Sequence, residues 1–232
     1  MLRRPALAHN VKKLGLELGR LNAVAISHLH ADHMGGFPAR QMRRVTIPPQ
    51  LRLPQGIPCF LPDTAEAPGL RSIVVEGPRV LAAGIASTGP LARSLFFLGY
   101  TREQSLVVNV RGKGLVVVCG CGHPTVEVIL QMVRAISTEP IYAVAGGLHF
   151  PVTSSRARFR GIQLQMFYGT GKPPWQRIND EDLSRTISVL NQVTPKRVLL
   201  SAHDSCDHAL ARFERELSAE TTVLRAGGTS RI

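Results

Sequence analysis

The sequence predicts a layered α/β fold, and three observations support this prediction. Short apolar runs alternate with segments of helical periodicity, which is the pattern of strands packed against helices. The chain has 232 residues, enough for one sizeable domain with its own core. Hydrophobic residues make up 44% of it and charged residues 19%, which excludes a disordered chain. Since no stretch rich in proline, glycine or serine divides the sequence, we expect residues 1–232 to form a single domain.

Short apolar runs bounded by turn residues are the predicted strands. They cover residues 23–27, 57–61, 70–76, 79–87, 105–111, 115–119, 141–145, 197–201 and 221–225. Gly112, Lys113 and Gly114 separate two of these runs. A short glycine-rich connection of this kind predicts a β-hairpin.

Segments with helical periodicity are the predicted helices, and they cover residues 8–19, 125–137, 180–193 and 206–218. Asn179 or Asp180 is a suitable N-cap for the third helix, and Glu181 and Asp182 suit its positive N-terminal end. Residues 148–179 have little periodicity. We expect a loop of this length to be functional or mobile.

The composition also limits the cellular setting. No apolar run approaches the roughly 18 residues that span a bilayer. The N-terminal segment lacks the apolar region of a secretory signal, so we expect a cytoplasmic protein without membrane contact. Four cysteines do not form a disulfide framework in a chain of this size.

A net charge of +12 favours anionic partners, which are phosphorylated small molecules, nucleic acid or acidic surfaces. The basic residues are mostly scattered, and aromatic residues make up only 5%, so we expect no stacking platform for single-stranded nucleic acid. We therefore expect a small anionic substrate rather than a nucleic acid. A solvated basic surface is the alternative interpretation of the charge.

Four coordinating side chains are concentrated in the stretch HLHADH, directly after the first predicted strand. His28 and His30 lie two apart in an extended segment, so their side chains point to the same side and can bind one ion. Asp32 and His33 lie where the next helix would begin and suit a second ion. Imidazole and carboxylate ligands suit zinc, and also iron or manganese.

Later histidines follow predicted strands in the same way. Each comes after an apolar run and a turn of small residues; they are His123, His149 and His203. We expect these three to complete the metal site. By contrast, His9 and His208 lie in helical patterns and are expected at the surface.

Two alternatives stay open for these positions. A histidine after a strand is more often a hydrogen-bonded loop residue than a metal ligand. Cys119, Cys121 and Cys206 lie near the later histidines in sequence, so a structural zinc site with thiolate ligands is a second alternative. Cysteines in such runs are more often small packed residues.

The stretch HLHADH followed by Gly35-Gly36 resembles the metallo-β-lactamase superfamily of metal-dependent hydrolases. Three later stretches, GCGH, GGLHF and SAHDSC, are similar to motifs of one branch, the 7,8-dihydropterin-6-methyl-4-(β-D-ribofuranosyl)aminobenzene-5′-phosphate synthase-like proteins. The resemblance covers nearly the whole chain in order. It implies an αββα sandwich of the metallo-β-lactamase type, with the metals at one edge of two facing sheets.

The resemblance also implies a set of metal ligands. These are His28 and His30 for the first metal, Asp32 and His33 for the second, and His123 and His203 at later ligand positions. His149 matches a family histidine that is either a ligand or a neighbour of the ligands. The bridging aspartate of many members has no match, and Asp204 replaces a cysteine, which makes it an extra acceptor.

One departure concerns the N-terminal region. Family chains usually begin with a β-hairpin region and an Asp-Thr-Gly turn before the helix that opens this sequence. We therefore expect a first sheet that is N-terminally shortened. Either dimerisation over its open edge or an accessible site would follow.

The function that we expect is hydrolysis at a site with two Zn²⁺ ions, with iron or manganese as the alternative metal. Metal-bound water, its pKa lowered to about 7, would supply hydroxide, and Asp32 would orient it or take its proton. Arg156, Arg158 and Lys172 would favour a phosphodiester or phosphotriester substrate. Lys172 ends a Gly-Thr-Gly-Lys stretch that resembles a phosphate loop without the Walker spacing, so a mobile lid is the alternative there.

Other functions stay open at this point. They are hydrolysis of a lactone or β-lactam, a non-catalytic metal-binding protein, and a nuclease prompted by the basic charge. A fold does not choose among such substrates.

Overall fold

The computed structural model of the chain describes residues 6–156, 158, 159, 162–167 and 169–232, and the predicted apolar runs form its strands. The described residues divide into two units, which we treat separately. The first comprises the chain up to Glu76 together with Ala226–Arg231, and the second comprises Gly77–Arg225 with Ile232. The single domain expected from the sequence stays a prediction.

The first unit contains a small parallel sheet. Its strands, in the order in which they pair, are β1 (Val24–Ala25), β2 (Pro58–Leu61) and β3 (Arg71–Val74). Its helices are α1 (Ala6–Lys13), α2 (Ala31–Met34) and α3 (Phe37–Gln41). Both short helices contribute to the core of this unit, which consists of Met34, Ala39, Val45, Cys59, Leu61, Ala65 and Ala67.

Helix α1 is shorter than the predicted helix over residues 8–19. It ends at Lys13 because Gly15 adopts a left-handed conformation with φ of +63°. The backbone N–H of Leu16 then donates to the carbonyl of Val11 at 3.0 Å, and that of Gly15 donates to Lys12 at 3.3 Å. These are the two hydrogen bonds of a Schellman motif, which terminates a helix.

The second unit is organised around a mixed seven-stranded sheet. Its strands are β4 (Arg79–Ala82), β5 (Ile85–Ser87), β8 (Leu106–Val110), β9 (Gly114–Val118), β10 (Ile141–Gly146), β13 (Arg197–Ser201) and β14 (Glu220–Leu224). They pair in the order β14-β13-β10-β9-β8-β5-β4. From β9 to β14 the neighbours are parallel, and from β4 to β9 they are antiparallel.

The residues in the turns explain which predicted strands are confirmed and which are wrong. Strands β8 and β9 pair antiparallel with Val110 opposite Gly114, which confirms the predicted hairpin. The single strand predicted over 79–87 is wrong, because Gly84 at φ of +73° turns the chain between β4 and β5. Strands β6 (Leu91–Leu95) and β7 (Gly99–Glu103) form a hairpin outside the seven-stranded sheet, and this hairpin was not predicted from the sequence. A second small hairpin joins β11 (Arg158–Phe159) to β12 (Ile162–Gln163).

Three helices of the second unit match their predictions within two residues. They are α4 (Val126–Ile136), α5 (Asp180–Val193) and α6 (Asp207–Glu216). Asn179 caps α5 as predicted, since its side chain accepts hydrogen bonds from the N–H groups of Glu181 and Asp182, both at 3.1 Å. Buried leucines such as Leu183 and Leu190 hold α5 on the core, and each contributes roughly 1.5–3 kcal/mol. Among the described residues, no helix is long and apolar enough to cross a membrane.

The parallel part of this sheet positions the predicted ligands. Strands β9, β10 and β13 are neighbours and run in the same direction, so their carboxyl ends lie along one edge. All three strands are largely buried and mostly apolar, as expected for parallel strands covered on both faces. The turn after each strand carries one of the later histidines, which are His123, His149 and His203.

Candidate metal centre

In the first unit, the stretch after β1 brings three imidazoles together. The ring centroids of His28 and His30 are 4.6 Å apart, and those of His28 and His33 are 4.0 Å apart. Asp32 Oδ2 lies 3.4 Å from His33 Nε2. The cluster forms because extended backbone up to His30 is followed at once by α2, which turns Asp32 and His33 back beside the preceding histidines.

Ser27 fixes the tautomers in this cluster. Its hydroxyl oxygen is 3.1 Å from Nδ1 of His28 and 3.2 Å from Nδ1 of His33. A hydroxyl has one proton, so it donates to at most one of these nitrogens, and the other Nδ1 must then donate to the oxygen. In the neutral form, that second imidazole has its lone pair on Nε2, which is the form that binds a metal.

A glycine is required directly after this cluster. Gly35 has φ of +97°, and a β-carbon there would lie 2.5 Å from the carbonyl oxygen of Thr46. The backbone can therefore turn sharply only without a side chain.

In the second unit, His123 is held in place from three sides. It is buried, and its Nδ1 lies 2.9 Å from the carbonyl oxygen of Gly169, which accepts a hydrogen bond when Nδ1 is protonated. Arg93 Nη1 donates to the carbonyl of His123 at 3.1 Å. The backbone N–H of His123 donates to Glu103 Oε2 at 3.1 Å. The Nδ1 contact leaves Nε2 as the nitrogen that can bind a metal.

Glu103 is a functional residue that the sequence prediction missed. Only 1% of it is exposed, and its two oxygens accept from the N–H groups of Gly122, at 2.8 Å, and His123. Burial raises the pKa of Glu103, while the two N–H donors act in the opposite direction. No local pattern in the sequence marks Glu103, because its burial and its two N–H donors come from contacts with a turn 19 and 20 residues away.

His149 is packed against both His123 and Asp204. Its ring centroid is 4.8 Å from that of His123, and its Nδ1 is 3.7 Å from Asp204 Oδ2. Its backbone φ of +56° is in the left-handed region, which costs of order 1–3 kcal/mol in a residue other than glycine. The buried carboxylate of Asp204 lies beside His149 at a distance longer than a hydrogen bond, and its role as an extra acceptor stays a prediction.

Cys121 lies among the histidines of the second unit. Its sulfur is within 4.8 Å of a ring nitrogen of His123 and within 4.8 Å of a ring nitrogen of His203. His203 itself is exposed, whereas Cys121 is buried. From the sequence, Cys121 was either a zinc ligand together with His123 or a small packed residue, and its nearness to His203 was not predicted.

The other two nearby cysteines have structural environments. Burial raises the pKa of the Cys119 thiol to about 12, as expected for a packed residue below the turn. Cys206 is the N-cap of α6, where its sulfur accepts hydrogen bonds from the N–H of Ala209 and from the hydroxyl of Thr153, both at 3.5 Å. The histidines outside the clusters, His9 and His208, are exposed as predicted.

A cavity of about 280 Å³ lies next to His123 and His149 in the second unit. Of the three predicted substrate-binding residues, Lys172 lines it. Arg156 is not among its lining residues and instead pairs with Asp207 at 2.5 Å. Arg158 lies in β11, and its side chain is outside the described residues. Arg93, which was not predicted, also lines the cavity.

The stretch from Gly169 to Lys172 forms a wall of this cavity. A β-carbon on Gly169 would lie 2.7 Å from Cε1 and Nε2 of His149, and one on Gly171 would lie 2.3 Å from Nε of Arg93. Both glycines are therefore required by close contacts with functional side chains. The backbone N–H of Phe96 also donates to the Thr170 carbonyl at 3.2 Å, which joins this wall to the β6–β7 hairpin.

The donor groups of both units have the chemistry that a divalent metal requires. In the first unit, the ring centroids of His30 and His33 lie 4.6 and 4.0 Å from that of His28, so three imidazoles are close enough to share one cation. In the second unit, a thiol and two imidazoles are donor groups of the kind that bind divalent transition metals. The donor sets fit a metal, and the roles of individual ligands stay predictions.

Three comparisons with known proteins extend this description. No protein-family model matches the chain. A crystal structure described as a metal-dependent hydrolase of the β-lactamase superfamily matches with a TM-score of 0.67 and 21% identity, over 97% of this chain and 84% of the other. The metallo-β-lactamase fold protein YhfI from Bacillus subtilis matches with a TM-score of 0.50 and 15% identity, over 94% of this chain and 81% of the other. The chain has the metallo-β-lactamase fold.

A curated relative of this metallo-β-lactamase-fold chain comes from Methanocaldococcus jannaschii. It is a 7,8-dihydropterin-6-methyl-4-(β-D-ribofuranosyl)-aminobenzene-5′-phosphate synthase, 24% identical over 176 residues. The match covers 60% of this chain and 60% of the relative, so the aligned part spans less than two thirds of that protein. The fold predicted from the sequence is thus confirmed, and the similarity to the synthase branch is weak.

Proposed function

We propose that the protein is a metal-dependent hydrolase that acts on phosphoesters of small molecules. The observation that carries this proposal is the cluster of His28, His30, Asp32 and His33. These four side chains come from six consecutive residues in a protein with the metallo-β-lactamase fold, and they lie close together. Similarity to a crystal structure described as a metal-dependent hydrolase supports the enzyme class. The relative from Methanocaldococcus jannaschii is named for a 5′-phosphate compound, which supports a phosphorylated substrate.

Two groups of side chains are the proposed ligands, and zinc is the proposed metal, with two ions bound. One group is His28, His30, Asp32 and His33 in the first unit. The other is Cys121, His123 and His203 in the second. A bound zinc ion acts as a Lewis acid that activates water and polarises the bond to be cleaved.

The remaining steps are carried out by the side chains of the protein. Asp32 is half exposed, with 48% of its side chain accessible, so its carboxylate can accept a proton from the attacking water. Asp204 places a negative charge beside His149, and Gly169 fixes the tautomer of His123. Leu148 and Phe150 are buried beside the cavity and exclude water from its inner end.

A hydrolase of a lactone or β-lactam is the second candidate, because the fold alone does not select the substrate. The decisive experiment combines metal analysis of the purified protein with a substrate panel. The panel contains p-nitrophenyl phosphate mono-, di- and triesters, a lactone and nitrocefin. We expect zinc in the protein, turnover of a phosphate ester, and loss of turnover with a chelator that added zinc restores.

The matched variants are His28→Ala and His9→Ala. His28 is buried in the cluster, whereas His9 is an exposed histidine on α1. We expect His28→Ala to lose both bound metal and turnover, and His9→Ala to keep both. Turnover that persists in His28→Ala, or that survives complete removal of metal, would refute the proposal.

A further inference from the structure

The cavity beside His123 and His149 has an unusual balance of charge. Its described lining includes three cations, Arg93, Lys172 and Arg185, and two carboxylates, Glu127 and Asp182. With neutral imidazoles, these side chains leave one positive charge in excess. A cavity of this kind favours a ligand with at least one negative charge.

Both carboxylates are already engaged by other groups. Asp182 forms two ion pairs, one between Oδ2 and Lys172 Nζ at 2.5 Å and one between Oδ1 and Arg185 Nη1 at 3.4 Å. Glu127 accepts a hydrogen bond from the hydroxyl of Thr186. Among the described residues, no carboxylate lies within 4.0 Å of the guanidinium of Arg93, whose hydrogen bond goes to the carbonyl of His123. The guanidinium of Arg93 therefore makes no ion pair within the described part of the chain, and Glu127 and Asp182 act on it only through longer-range electrostatics.

Arg93 is half-buried and held rigidly. It lies on β6 opposite Thr101 of β7, in the hairpin that also carries Glu103. Arg93 and Glu103 bind the carbonyl and the N–H of His123, respectively. The guanidinium also packs against Gly171, where a β-carbon would come within 2.3 Å of Nε. A guanidinium fixed in this way loses little rotamer freedom when it binds a ligand.

We propose that Arg93 is the phosphate-binding residue of this cavity and that it donates hydrogen bonds to the phosphoryl oxygens of the substrate. A guanidinium presents a planar set of N–H donors that matches two oxygens of a phosphate. One Nη1 hydrogen bond to His123 leaves the other donors for the ligand. The site recognises a phosphorylated small molecule, bound in contact with the cavity that His123 and His149 line. This inference rests on the proposed hydrolase function for its substrate, but the binding of phosphate can be tested without turnover.

The test uses inorganic phosphate as the probe and isothermal titration calorimetry as the measurement. Titrations are made at constant ionic strength, on the protein as purified and again in the presence of a chelator. We expect wild-type protein to bind phosphate under both conditions, and Arg93→Met to bind it about tenfold or more weakly. Arg102→Met is the matched control, because Arg102 is an exposed arginine of the same hairpin outside the cavity lining.

A second variant, Gly171→Ala, tests the same guanidinium independently in case Arg93→Met does not fold. In Gly171→Ala the new methyl group would displace the guanidinium without changing the net charge, and Gly171 is not in the left-handed region. We expect Gly171→Ala to keep the wild-type circular dichroism spectrum and to bind phosphate several-fold more weakly. Wild-type affinity in both Arg93→Met and Gly171→Ala would overturn the proposal.

The outcome is separable from that of the proposed function. Phosphate binding that depends on Arg93, in a protein that hydrolyses nothing in the panel, would support the binding site and refute the hydrolase. Turnover of a phosphate ester with a KM unchanged in Arg93→Met would support the hydrolase and refute the binding site.

Discussion

The buried carboxylate of Glu103 accepts the backbone N–H of His123 at 3.1 Å, although the two residues are 20 positions apart in the chain. Its second oxygen accepts the N–H of Gly122 at 2.8 Å. One side chain from the β6–β7 hairpin therefore fixes the turn that presents His123. The geometry of a proposed ligand, His123, therefore depends on a residue that is not itself proposed to bind the metal.

The first prediction tests this carboxylate with Glu103→Gln. A glutamine offers one oxygen where the turn presents two N–H donors, so its amide NH₂ faces a donor and one hydrogen bond is lost. We expect the free energy of unfolding to fall by about 1–3 kcal/mol and the metal content to fall with it. Denaturant unfolding and metal analysis measure these effects. Glu139→Gln, at an exposed position, is the control, and equal behaviour of the two variants would contradict this role.

The second prediction concerns the wall of the cavity. Gly169 and Gly112 both have positive φ, +83° and +74°, so alanine strains the backbone at either position. Only at Gly169 does the added methyl group meet a side chain, at 2.7 Å from the ring of His149. We expect Gly169→Ala to reduce turnover by about tenfold or more, and Gly112→Ala to lower stability by about 1 kcal/mol without this loss. Steady-state kinetics of the two variants would reveal the difference, and equal turnover would argue against the contact.

The third prediction assigns the thiol of Cys121. If its thiolate binds the metal, protein reconstituted with Co²⁺ shows a thiolate-to-cobalt charge-transfer band in the near-ultraviolet absorption spectrum. We expect Cys121→Ser to lose this band. Cys59→Ala is expected to retain it, because Cys59 is a buried core residue whose pKa is raised to about 11 by burial. A band that survives in Cys121→Ser would exclude this thiolate as a ligand.

The fourth prediction is a pH dependence of stability that arises from α5 and α6. Arg212 pairs with Asp180 at 2.8 Å and with Glu216 at 2.6 Å. Hydrogen bonds from His208 and Arg212 lower the pKa of Asp180, and those from Arg212 and Arg215 lower the pKa of Glu216 from 4.5 to about 2. Because these folded-state pKa values are depressed, the stabilisation is present above the unfolded values and is lost as the pH falls through the folded ones.

We therefore expect Arg212→Met to lower the Tm at neutral pH, with a difference from wild type that shrinks below a pH of about 4.5 and vanishes near 2. Thermal unfolding followed by circular dichroism across this range is the measurement. Arg134→Met is the control, since Arg134 is an exposed arginine of α4 with no ion pair among the described residues. A difference that does not depend on pH would show that Arg212 stabilises the helices by packing alone.

Local patterns predicted the elements that depend on local interactions. The helix over Asp180–Val193 and its Asn179 cap follow from side-chain periodicity and from a hydrogen bond between residues close in sequence. The hairpin between β8 and β9 follows from its two glycines. The β6–β7 hairpin was missed because Phe97, at φ of +65°, occupies a turn position where glycine is expected.

The sequence by itself determined the α/β class, the HLHADH cluster and the positions of three later histidines after apolar strands, because each depends on spacing within a few residues. Only the tertiary structure decided that Arg93 and Glu103 lie beside His123, and that Cys121 lies near His203. Arg93 and Glu103 belong to a separate two-stranded hairpin, 30 and 20 residues before His123 in the chain. Packing between separate elements decides such contacts, and the residues in contact have no fixed separation along the chain.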